Sequence, residues 1–118
     1  MSATRWSTDT SNRIGAVKGY LSRLSLVVRG DQFRLLQELF SLSQKDRVLD
    51  VGISPREELV DTNYFEKHYP YPERLTAVSV EDCSALRRKY RHIKILQVKP
   101  NAKLPFKDHQ FNIAVSWA

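Results

Sequence analysis

Four short apolar runs constrain the fold more than any other feature of the chain. They are "RVLDVG" (47–52), "LTAVSV" (75–80), "IKILQV" (93–98) and "FNIAVSW" (111–117). The first is apolar on both faces, as in strands of a parallel sheet covered by helices on each side. Stretches with helical character, "SPRE", "NYFEKHYPYPER" and "EDCSALRRKY", separate the first three runs. Such alternation builds strand–crossover–strand units and a parallel sheet, not hairpins. The link from the third run to the fourth lacks a strong helix. Its dozen or so residues still reach about 40 Å when extended, enough to cross two neighbouring strands at about 4.8 Å each. The fourth strand can therefore lie on the far side of the first. That puts a topological switch point, where ligands bind in such sheets, at Gly52.

The loop after the first strand begins like a nucleotide-binding loop and then departs from one. A second glycine is expected two residues beyond Gly52, where backbone must approach a ligand closely; Ser54 stands there, followed by Pro55. Ser54 reads as a helix N-cap, with Pro55 at the first helical position and Glu57 completing a capping box. Further on, 63–74 reads as a short helix ended by two prolines, whose aromatic residues either pack on the sheet or line a pocket.

Upstream, 1–12 is rich in Ser and Thr without an apolar period and reads as a disordered tail. The segment 13–45 reads as two helices. Ile14, Val17, Leu21, Leu24 and Val28 recur at helical spacing in the first, Gly30 is its expected stop, and Asp31 is the expected cap of the second. The chain of 118 residues carries a net charge of +6, and residues 1–30 hold five bases against Asp9 alone. This basic amphipathic segment, 13–28, packs on the domain or makes peripheral contact with a membrane.

No apolar run approaches bilayer length, and "LSRLSLVV" is too broken to be a signal sequence. A single cysteine, Cys83, excludes an internal disulfide, and with three histidines out of ligand spacing no metal site is expected. The expected compartment is cytoplasmic.

Three segments in order then resemble one family. "VLDVG", "LTAVSVED" and "LPFKDHQFNIAVSWA" are similar to the class I S-adenosylmethionine-dependent methyltransferases, in particular the type-11-like group, over residues 46–118. The resemblance implies an α/β, Rossmann-like, mostly parallel sheet with flanking helices. Members of that family continue past the fourth strand, so a C-terminally shortened domain of about four strands is expected. "NYFEKHYPYPERLTAVSVED" is similar to a branch of bacterial methyltransferase-like proteins, which implies a small molecule or a glycan precursor as methyl acceptor. Nucleic acid is disfavoured, because no RNA-binding motif accompanies the basic leader.

The resemblance also implies site residues. Asp50 and Gly52 match the family's first motif, facing the methionine end of the cofactor. Ser54 replaces the family's second glycine, which implies weakened or lost binding. The ribose-holding acid falls at Ser79, with Glu81 able to substitute two residues on. Asn101 stands near the adenine-contacting position, which has no acid here. No residue is identifiable as a catalytic base; Asp108 and His109 read as parts of a solvated turn. The chain alone is expected to be inactive. The alternative is a truncated, non-catalytic binding or interaction module derived from a methyltransferase. A nicotinamide-binding domain is disfavoured, since no G-x-G-x-x-G occurs. Self-association or a partner is expected at the open sheet edge, 111–117.

Overall fold

The computed structural model describes residues 3–57 and 59–117, with the side chains of residue 21 and of residues 23 onward in that span. Its centre is a four-stranded sheet in the order β3-β2-β1-β4. The strands are β1 (Val48–Val51), β2 (Leu75–Ser79), β3 (Lys94–Gln97) and β4 (Ile113–Val115), and every pairing is parallel. This is the α/β arrangement expected from the apolar runs, with β4 crossing to the far side of β1. All four strands are one to four residues shorter than their apolar runs, because ladder hydrogen bonds stop where the chain turns away from its neighbour.

Register decides which residues meet the helices. Val48 lies beside Leu75 and Ile113, and Asp50 beside Ala77 and Val115. This face carries the core, in which Val48, Leu75, Ala77 and Ile95 pack with Phe33, Phe65, Tyr69, Cys83 and Leu86. The helices α2 (Tyr64–His68) and α3 (Ser84–Lys89) supply Phe65 and Leu86. Phe33 comes from α1 (Ala3–Phe40) and meets Phe65 edge-on at 5.2 Å between ring centroids. Such aromatic pairs add to the area they bury.

The N-terminal reading needs correction. One helix runs from Ala3 to Phe40, through the residues read as a tail and through the expected stop at Gly30. A Cβ at Gly30 would come within 3.1 Å of the Tyr64 hydroxyl, so this glycine permits close packing on α2 instead of ending a helix. Asp31 caps nothing; it pairs with Arg34 one turn on. The helix ends at Ser41, whose φ of 48° is left-handed, and the Leu42 N–H bonds back to the Gln37 carbonyl at 3.3 Å.

The capping box at Ser54 is also absent. Ser54 Oγ accepts the Arg56 N–H at 3.1 Å, a local turn with no helix after it. Glu57 turns instead to Lys89 at 2.8 Å, Tyr90 at 2.7 Å and Lys67 at 3.3 Å. Burial raises the Glu57 carboxyl, but these three donors outweigh it and hold its pKa below the usual value. The hub ties the loop after β1 to α2 and to the end of α3. Proline at 55 and three distant cationic or hydroxyl partners make an extended loop the better solution here.

The β4 edge is partly covered. Among the described residues β4 has one strand neighbour, β1. Within the edge expected to be open, 111–117, Val115 and Trp117 pack against the core, and Trp117 meets Phe33 at 6.1 Å. Ala114 is the exposed residue of this strand.

Candidate functional site

The carboxyl ends of β1 and β4 open onto a crevice of ≈ 310 Å³, lined by Arg29, Gly52, Ser54, Leu59, Asp61, Thr62, Asn63 and Trp117. Gly52 has φ of 95°, a conformation that side chains rarely adopt, and a Cβ there would meet nothing within 4 Å. Glycine is thus required by backbone conformation, and the space over it stays open to a ligand. The Gly52 N–H is committed to the Val78 carbonyl at 2.9 Å, which seats the loop against β2.

Ser54 is fixed by Asn63. The Ser54 N–H donates to Asn63 Oδ1 at 2.9 Å, and Asn63 Nδ2 returns a bond to the Ser54 carbonyl at 2.6 Å. Asn63 itself has φ of 53°, which asparagine tolerates better than most residues. The reciprocal pair satisfies the Ser54 backbone without a helix N-terminus. It also takes the Ser54 amide away from any ligand.

Asp50 lies at the end of β1 and is 2% exposed. Its Oδ1 accepts the Trp117 N–H at 3.2 Å. Its other neighbour is Glu66 on α2, 5% exposed, whose two oxygens have no hydrogen-bond partner among the described residues. Burial pushes both carboxyls up; for Asp50 the adjoining Glu66 and the Trp117 N–H offset this in part. For Glu66 the nearby Asp50 pushes in the same direction as burial, up to about 10. Two carboxylates cannot share such a site when both are ionised. Burial and the nearby Asp50 thus favour the protonated Glu66 carboxyl at neutral pH.

On the opposite wall Asp61 Oδ2 accepts Ser25 Oγ at 2.5 Å and lies 3.9 Å from Arg29 Nε. Asp61 Oδ1 and Trp117 Nε1 are buried without a partner among the described residues. Such groups are costly unless something supplies the missing bond.

Of the residues expected at the site, Gly52 and Ser54 line the crevice, whereas Asp50 is buried and is not a lining residue. Ser79 ends β2 next to Gly52, but its hydroxyl accepts the Glu81 N–H at 3.2 Å and serves the turn. Glu81 is exposed just beyond it. Asn101 is exposed in the turn after β3, with φ of 59°, and does not line the crevice. His109 and Asp108 belong to the other end of the sheet, where Arg47 Nη2 reaches the His109 carbonyl at 3.4 Å. Burial raises the Cys83 thiol and keeps it out of nucleophilic chemistry.

Sequence reasoning missed Asn63, Asp61, Glu66 and Trp117. A carboxylate amid the aromatics of "NYFEKHY" was the one available signal for Glu66. Among the described residues no group of three or more His, Cys, Asp or Glu could hold a metal ion. In comparison with known proteins, the chain matches no family model, no curated protein and no solved structure.

Proposed function

We propose that this chain is a methyltransferase-like domain that binds S-adenosylmethionine at the switch-point crevice. One observation carries the reading. An acid-ended strand runs into a glycine at φ of 95° with open space above it, where β4 and β2 diverge on either side of β1. Ligands of open α/β sheets bind at this position. When bound, the cofactor supplies an electrophilic methyl group that passes from its sulfonium to an acceptor nucleophile, leaving a thioether. The protein's part is positioning: Gly52 admits the ligand to the backbone, and Asp50 offers negative charge to an ammonium directly or through water. Glu81 is the exposed acid nearest the β2 end for ribose hydroxyls. A small molecule or glycan precursor is the proposed acceptor class.

A second reading is a non-catalytic binding module. It is favoured by the prior engagement of the crevice groups. Asp50 accepts the Trp117 N–H beside Glu66, and the Ser54 amide is bound to Asn63. None of the crevice-lining residues is a histidine. Equilibrium dialysis with S-adenosylmethionine, with a nicotinamide nucleotide as control, tests the binding both readings share. Incubation with a methyl-labelled donor and candidate small-molecule acceptors then separates them. Binding without label transfer supports the module, and no binding of either nucleotide removes both readings.

A further inference from the structure

The helix α1 has two apolar faces, and the core uses one of them. Phe33 is buried in the core and Leu36 packs at its margin. On another face Leu21, Leu24, Val28, Leu35 and Leu39 follow one another at steps of three, four and seven residues. They form one stripe along the helix and remain 46–70% exposed. At about 1.5 Å per residue a 38-residue helix is roughly 57 Å long, nearly the longest extent of the molecule at 63 Å. The stripe is a ridge covering roughly 27 Å of that length, from Leu21 to Leu39, and sheet packing leaves it in water.

We propose that this ridge is a docking face for an anionic lipid surface, with α1 lying in the interfacial plane. The charge of the segment selects that occupant. Residues 1–30 carry five bases and one acid, and Arg23 is exposed off the stripe on the polar side of the helix. An exposed aliphatic stripe beside cationic side chains matches the acyl boundary and the negative headgroups of such a surface. Phosphate of a nucleic acid would satisfy the bases but leave five aliphatic side chains in water. Among the described residues no helix is long and apolar enough to cross a membrane, so contact is peripheral.

The test is co-sedimentation of the full chain with phosphatidylcholine vesicles containing roughly one-third phosphatidylserine, and with pure phosphatidylcholine vesicles. Each is measured at about 0.05 M and about 0.5 M salt. We expect binding to the anionic vesicles that weakens with salt and is at least about tenfold weaker for the double variant Leu24→Asp, Val28→Asp. Arg23→Glu should weaken it as well, and its exposed position leaves the fold intact, as an unchanged urea midpoint would verify. Several results overturn the proposal: no binding to anionic vesicles, equal binding to pure phosphatidylcholine, or unchanged binding by the double variant. Preference for a DNA or RNA duplex over vesicles would overturn it too. So would a wild-type dimer that the double variant converts to monomer.

Discussion

The Trp117 N–H donates to Asp50 Oδ1 at 3.2 Å, so the chain leaving β4 is fastened to the carboxylate that ends β1. The bond closes one side of the switch point and brings the Trp117 ring beside Phe65 and Phe33. Asp50 thus has a structural task as well as the ligand-facing task proposed for it. Asp50→Asn keeps an acceptor for the Trp117 amide, whereas Asp50→Ala leaves that amide unpaired. We expect Asp50→Ala to cost about 1–3 kcal/mol of stability and Asp50→Asn distinctly less, measured by urea unfolding. Equal losses in both would show that the Trp117 bond contributes nothing.

Glu66 makes stability depend on pH. Its folded-state pKa, about 10, lies above the ordinary value of 4.5. The folded protein therefore binds this proton more tightly than the unfolded chain. Its contribution is fully present below about 4.5 and is lost as pH rises toward about 10. Glu66→Gln removes the ionisation and leaves an amide that can donate to Asp50. We expect the variant to be more stable than the parent by on the order of 1–3 kcal/mol at pH 8, with the two converging near pH 4. Unfolding midpoints across that range decide it, and a variant less stable at pH 8 contradicts a protonated Glu66 in the fold.

Asn63 holds the loop over the crevice with two bonds to Ser54. Asn63→Ala removes both and places alanine at a left-handed φ of 53°. We expect a loss of about 2–4 kcal/mol by urea unfolding. A loss below about 0.5 kcal/mol, the range of neutral surface changes, would show that the loop is held elsewhere.

Sheet order was legible in the sequence because apolar runs and connection lengths are backbone-scale signals. "RVLDVG" and "LTAVSV" had to be parallel neighbours, and the span from 98 to 111 had the length to reach beyond β1. The acid–glycine end of β1 was equally visible. What the sequence concealed depends on partners far along the chain. Gly30 looks like a helix stop until Tyr64 packs against it, and Ser54 looks like a cap until Asn63, nine residues on, binds its backbone. Glu57 satisfied a local capping pattern while its partners were at 67, 89 and 90. Local rules lost to tertiary ones at each of these places, and all but Gly30 lie in the loop that shapes the crevice or in the residues that hold it.

Gly52 offers a clean probe of that loop. A Cβ would meet no atom within 4 Å, so Gly52→Ala tests backbone conformation without a clash inside the protein. We expect a destabilisation of about 1–2 kcal/mol from the positive φ alone. A methyl group would also project into the space proposed for the ligand, so binding should fall further than stability does. A variant that binds as the parent does would place the ligand elsewhere.

The most direct measurement is calorimetric titration of S-adenosylmethionine into the parent chain and into Ser54→Gly. The substitution removes a Cβ at the crevice but keeps both backbone bonds to Asn63. We expect weak binding by the parent, tighter binding by Ser54→Gly, and no heat from a nicotinamide nucleotide with either protein. No heat from S-adenosylmethionine with either protein, or tighter binding by the serine form, would contradict the assignment of the crevice.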